Sequence, residues 1–122
     1  MEYIKLADSE LKFMNLIWEV APINSTELVK LAEERLGWKK STIYTVVRRL
    51  TKKQILKSEK AIVSYLIEKE AIQQLKGEEV LGKIYEGSIG VFLSAFLSKT
   101  KITQKEADEL KEMIDEHINK EE

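Results

Sequence analysis

The chain contains no cysteine, which excludes disulfides, thiolate metal sites and cysteine nucleophiles together. It has a single histidine, His117, and a lone histidine on a helix is usually a surface or packing residue rather than a metal ligand. No long hydrophobic run is present. The longest uncharged stretch, Gly87 to Ser98, is too short to span a bilayer, so no direct membrane insertion is expected. The N-terminus also lacks the basic region and apolar run of a secretory signal, and a cytoplasmic location is the expectation. A glycine-rich phosphate loop, a nucleophile elbow and a metal-ligand cluster are all missing. The acid pairs Glu33-Glu34 and Glu78-Glu79 do not make up for this, because adjacent side chains on a helix diverge by about 100° and do not converge on one substrate. Catalysis, a cofactor and a resident metal are therefore not expected. Excess charge is missing too: 20 Lys+Arg stand against 21 Asp+Glu, a net charge of -1. Such a protein does not coat nucleic acid indiscriminately, and any DNA affinity must come from one face.

That face is visible between Trp38 and Lys60, written WKKSTIYTVVRRLTKKQILKSEK. Lys39, Lys40, Arg48, Arg49, Lys52, Lys53, Lys57 and Lys60 are its cations, and Glu59 is its only acid. Ile43, Val46, Val47 and Leu50 recur at helical spacing and leave a small polar face of Ser41, Thr42, Tyr44, Thr45 and Arg48. A helix that buries one side and presents hydroxyls and cations on the other is suited to reading DNA. A merely solvated helix usually mixes both signs of charge.

The 122 residues suggest one domain or two small modules, with an apolar share of 43% that suits a globular protein. Asp8 to Val20 reads as a helix with an apolar stripe of Leu11, Met14, Leu16, Ile17 and Trp18, capped by Asp8 or Ser9 and ended by Ala21-Pro22. Asn24-Ser25-Thr26-Glu27 resembles a capping box with Glu27 reaching back, opening a second helix that Gly37 stops. The third helix runs from about Ser41 to Lys53, so the pair forms a helix-turn-helix. Gln54 is an anomaly, since glycine ends such a helix more easily. Ile55-Leu56 and the β-branched run Ala61 to Ile67 then read as strands of a hairpin, with Lys57 to Lys60 as its tip. The expected fold is mostly α with a small β-hairpin: a winged helix-turn-helix domain over 1–67.

Residues 68–122 carry helix signals only and are expected to form a three-helix dimerisation domain. One helix runs from Glu68 to Glu86, weakened by Gly77 and Gly82. Gly87 and Gly90 flank a break before a strongly apolar helix. Thr103-Gln104-Lys105-Glu106 is a capping box for the last one. About 55 residues cannot bury this much apolar surface alone. A second copy of the chain is the commonest solution, and a two-fold DNA site calls for one as well. Ile89, Phe92, Leu93, Phe96, Leu110 and Ile114 are the residues expected between subunits.

More specific signals are L-K-F-M-N-L-I-W at Leu11 to Trp18, W-x-x-x-T-I-x-T at Trp38 to Thr45, and R-L-x-K-K at Arg49 to Lys53. With K-I-Y-E-G at Lys83 to Gly87 and the closing Q-x-E-x-x-E-L-x-x-x-I, the chain resembles the penicillinase repressor and methicillin-resistance regulator family along nearly its whole length. The resemblance implies a homodimeric repressor that binds two-fold double-stranded operator DNA with a TACA/TGTA-type core. It also implies inactivation by cleavage, triggered by a membrane-bound sensor metalloprotease that in the best-known cases detects β-lactams. Thr42, Thr45 and Arg49 match DNA-contacting positions of the family, whereas Ser41 and Tyr44 replace its usual lysine and its arginine or glutamine. Lys52, Lys53, Lys57 and Lys60 suit phosphate contacts. Aligned through the last helix, the family's scissile asparagine–phenylalanine bond falls on Ala95-Phe96, with Ala95 in place of the asparagine. The copper-responsive branch ends in paired cysteines, which this chain lacks.

Two other readings compete. A winged helix can serve protein–protein contact alone, though the cationic bias of the third helix argues against that. A regulator can also answer to a small ligand instead of a protease. Trp18 and Trp38 could line a pocket for one, but both stand at helical spacing with core residues.

Overall fold

In a computed structural model of the chain, which describes residues 4–121, Ala21 is extended (φ -69°, ψ 150°) ahead of Pro22 and ends α1, Asp8–Val20. A short strand β1, Ile23–Asn24, leads into α2, Ser25–Leu36. Gly37 closes α2 in the left-handed conformation (φ 68°), which glycine adopts without a Cβ penalty. The helix α3, Lys40–Lys52, follows at once, then β2, Leu56–Glu59, and β3, Ile62–Tyr65. The remaining elements are α4, Lys69–Ile84, α5, Ile89–Leu97, and α6, Gln104–Glu121. The fold is mostly helical with a small antiparallel sheet: a winged helix-turn-helix followed by helices. No single helix among the described residues is long and apolar enough to cross a membrane.

The sheet holds one strand more than the sequence suggested. Its order is β1-β3-β2, with Ile23 opposite Val63 and Asn24 opposite Ile62. Two residues are too short to leave a period-2 pattern, so β1 is invisible without its partner. The hairpin tip is also tighter than expected. Lys57, Ser58 and Glu59 are in β2, and only Lys60 and Ala61 turn, both at positive φ (52° and 64°), as a type I′ turn requires.

The caps differ in detail from expectation. Ala7, not Asp8 or Ser9, is the N-cap of α1, and Glu10 reaches back to its amide at 2.9 Å. Asn24 caps α2 by accepting from the Thr26 amide at 2.8 Å. α3 ends in a Schellman arrangement, with the Ile55 amide on the Leu50 carbonyl and the Gln54 amide on that of Thr51, both at 3.0 Å. Gln54 occupies the left-handed position at φ 64°.

One apolar cluster binds the winged-helix elements together. Phe13, Met14, Leu16 and Ile17 of α1 pack with Leu28, Val29 and Ala32 of α2, Ile43, Val46 and Leu50 of α3, and Ile55, Leu56 and Val63 of the wing. Each large side chain so buried contributes about 1.5–3 kcal/mol. Trp38 stacks on Phe13 with ring centroids 5.7 Å apart, and Trp18 Nε1 donates to the Ile67 carbonyl at 3.0 Å, so both tryptophans pack against the core while each also lines an open cleft.

The chain divides into two compact units, the first ending at Gly77 within α4. The physical reason is Ile72, 1% exposed, which keeps the first part of α4 with the winged helix beside Leu11 and Trp18. In the second unit Glu86 (φ 55°) and Gly87 (φ 74°) make the break, while Gly90 lies inside α5 instead of flanking it. Ser88 caps α5 by accepting from the Val91 amide, and Thr103 and Glu106 exchange cap bonds at 3.0 Å at the start of α6.

Candidate nucleic-acid interface

The candidate interface is built on α3, whose two sides part by composition. Ile43, Val46 and Leu50 are buried, which anchors the helix and leaves Ser41, Thr42, Tyr44, Arg48, Arg49 and Lys52 exposed. Thr45 is half-buried and its hydroxyl donates to the Ser41 carbonyl at 2.9 Å. Tyr44 presents its ring at 44% exposure. The helix has no acid in its first turn and no side-chain cap, and Lys39 and Lys40 stand at the positive end of its dipole. That arrangement is unfavourable in the free protein and suits an incoming phosphate.

Beside this face lies an open cleft of about 390 Å³ lined by Ser9, Trp38, Ser41, Thr42, Thr45, Val46 and Arg49. Three candidate reading residues, Ser41, Thr42 and Thr45, therefore share one concavity with Arg49. Ser9 joins them from the first turn of α1, a neighbour that sequence spacing could not place. Lys57 and Lys60 extend the cationic strip onto the wing, where both are exposed. Lys57 also pairs with Glu59 at 3.1 Å, an exposed contact of little energetic weight.

Lys53 has an intramolecular partner. Its ammonium donates to Glu10 Oε1 at 2.7 Å and to the Lys5 carbonyl at 2.9 Å, so Lys53, although exposed, is tied to α1 and its N-terminal approach. The physical cause is Glu10, 2% exposed, whose buried carboxylate needs a countercharge. Burial pushes the Glu10 carboxyl up. The Ala7 amide, the Lys53 bond and the charges of Lys53 and Arg49 outweigh this and hold it below the usual glutamate value. The sequence carried a signal for the burial of Glu10, though not for its partner, since Glu10 precedes Phe13, Met14 and Ile17 at buried-stripe spacing.

Among the described residues no cluster of His, Asp or Glu could hold a metal ion. The candidate site is thus a helix face bordering an open cleft, with hydroxyls and cations side by side.

The sequence profile described as penicillinase repressor matches residues 6–116. The chain belongs to the penicillinase repressor family. It is 28% identical over 120 residues to the penicillinase repressor of Bacillus licheniformis, covering 95% of this chain and 94% of that one. It is 25% identical over 114 residues to the methicillin resistance regulatory protein MecI of Staphylococcus aureus (strain Mu50 / ATCC 700699), covering 90% and 93% respectively. A penicillinase repressor of Staphylococcus aureus is 25% identical over 117 residues, 93% of each chain. Membership of the penicillinase repressor family makes this chain a transcriptional repressor, a DNA-binding regulator and not an enzyme.

Proposed function

We propose that the chain is a cytoplasmic homodimer that represses a β-lactam-resistance or cell-wall-stress operon by binding a two-fold operator, and that proteolytic cleavage inactivates it. The observation that carries the DNA reading is α3 itself, buried through Ile43, Val46 and Leu50 and exposed through Ser41, Thr42, Tyr44, Arg48 and Arg49. A threonine methyl can pack on a thymine methyl, and hydroxyls can meet base edges or phosphates. Arg48, Arg49, Lys52, Lys57 and Lys60 supply phosphate contacts that set affinity and register.

Dimerisation is supported by the second unit. None of the residues of α5 is buried, and Ile89, Phe96 and Ile114 are 64%, 47% and 53% exposed. Leu110 is exposed as well, and Phe92 and Leu93 are half-buried. Phe92 meets Tyr85 edge-on with centroids 5.2 Å apart and stacks on Phe96 at 5.8 Å, yet this aromatic ladder leaves Phe96 exposed. A second copy covers such a face and also supplies the second half of a palindromic reader.

Fluorescence anisotropy on a palindromic duplex with a TACA/TGTA core, against a scrambled duplex of the same composition, tests the DNA reading. Tight, salt-sensitive preference for the palindrome is expected, and equal affinity for both duplexes overturns it. Sedimentation of the full chain tests the dimer. The wild type should sediment at twice the monomer mass, and Ile114→Glu, which buries a charge in the proposed interface, as a monomer.

A further inference from the structure

Glu10 is buried at the point where α1 meets the end of α3. Its Oε1 accepts from both the Ala7 amide and the Lys53 ammonium, at 2.9 and 2.7 Å. Its Oε2 has no hydrogen-bond partner among the described residues. Lys53, the C-cap residue of α3, also donates to the Lys5 carbonyl at 2.9 Å, so two of its three donors are committed. Arg49, one turn earlier, lines the cleft at the reading face.

We infer that Glu10 is a positioning residue that sets DNA specificity: it withholds Lys53 from the phosphate-binding cations and ties the end of the recognition helix to α1. The inference rests on the DNA-binding reading above. A cation that meets a phosphate adds affinity for every sequence and discriminates among none. Withholding one lowers the non-specific background without touching the base-reading hydroxyls. Fixing α3 at its C-cap also keeps Thr42, Thr45 and Arg49 in one orientation toward the groove. The sequence motif R-L-x-K-K thus holds cations of two kinds: both lysines are exposed, but the Lys53 ammonium is tied to Glu10 and the Lys5 carbonyl.

The test is anisotropy of the full chain on operator and scrambled duplexes across a salt series. Lys53→Gln, whose amide can still donate to Glu10, should leave the salt slope on the scrambled duplex unchanged. Glu10→Gln weakens the hold on the ammonium, since a neutral amide binds it far less strongly than a carboxylate. The freed lysine should steepen the slope by roughly 0.9 per protomer and raise scrambled-duplex affinity on the order of tenfold at low salt. The operator-to-scrambled ratio should narrow, and the double variant should return to the wild-type slope. A Glu10→Gln protein that binds both duplexes more weakly with an unaltered slope would show a structural role only and overturn the inference. A Lys53→Gln protein with a flattened slope would overturn it as well, and that variant decides the matter if Glu10→Gln does not fold. Wild-type protein that binds neither duplex would sink the DNA reading and this inference together, whereas the other two outcomes sink the inference alone.

Discussion

The Thr45 hydroxyl spends its proton on the Ser41 carbonyl one turn back along α3, at 2.9 Å. Thr45 therefore offers DNA a methyl group and an acceptor lone pair, not a donor. The partner this favours is a thymine methyl. Thr45→Val, which keeps the branched methyl, should retain most of the preference at the contacted base pair. Thr45→Ser, which keeps only the hydroxyl, should lose on the order of tenfold in discrimination there. Replacing the contacted thymine with deoxyuridine provides the check. It should penalise the wild type and the valine variant and leave the serine variant indifferent.

On the proposed DNA-binding face, with Lys53 held by Glu10, salt dependence follows from the remaining cations. If each protomer neutralises about three or four phosphates, the dimer releases counterions from roughly seven, and log affinity against log salt has a slope near -6. Lys52→Ala should weaken operator and scrambled duplexes alike and flatten the slope by about one per protomer. A slope near zero in the wild type is the result that removes phosphate contact from the account.

Much of the fold was legible because its signals are local. Pro22, Gly37 and the reciprocal bonds of Thr103 and Glu106 mark element ends through single-residue chemistry, and Ile43, Val46 and Leu50 reveal a buried face by period alone. The cationic strip could be read in the same way, as composition on one helix. What the sequence hid depends on distant pairing. Strand β1 exists because Ile23 meets Val63, and the Lys53 ammonium is tied to α1 because Glu10 lies far back along the chain. Ser9 reaches the reading cleft only after α1 packs against α3. Charge counting treats every lysine of R-L-x-K-K alike, and only packing separates Lys52 from Lys53.

Acid should unfold the winged helix partly through Glu10. Burial raises its carboxyl, but the Ala7 amide, Lys53 and Arg49 prevail, so the folded value lies below the ordinary one. A group more acidic when folded contributes stability that is complete above its unfolded value and is lost as pH falls through the folded value. Urea midpoints should therefore stay level from neutral pH down to the ordinary glutamate range and decline below it. Glu10→Gln should start lower at neutral pH and decline less steeply. An unchanged acid slope in that variant would assign the acid sensitivity to other carboxylates.

Gln54 sits at φ 64° where α3 stops, a conformation that costs a residue with a Cβ roughly 1–2 kcal/mol. Gln54→Gly removes that penalty while giving back some freedom to the unfolded chain, for a net gain of roughly 0.5–1 kcal/mol. The Ile55–Leu50 and Gln54–Thr51 bonds use backbone atoms only and survive the change. Thermal unfolding should shift upward by a few degrees. A fall in the midpoint would mean that the Gln54 side chain contributes more than its backbone strain costs.

The proposed induction by cleavage makes the sharpest demand on the second unit. Ala95 and Phe96 are both exposed and lie in the last turn of α5, next to Ser98, whose hydroxyl donates to the Ala95 carbonyl at 2.7 Å. A protease needs extended backbone, and the last turn of a helix is the least expensive to open, because its final carbonyls have no helical partners. Opening from the Ser98 side therefore exposes the bond more readily than opening from Gly87. Cutting there separates α6 from α5 and removes part of the apolar face proposed to hold the dimer, so each half-site is left with a weakly bound single reader. Incubation with membranes from induced cells, followed by mass spectrometry, should yield fragments that end at Ala95 and begin at Phe96. Ser98→Ala, which frees the Ala95 carbonyl, should speed the cut, and Ala95→Pro should block it by forbidding the bound extended geometry and its amide contact. Operator released while the chain stays intact under inducing conditions would transfer the switch from a protease to a ligand.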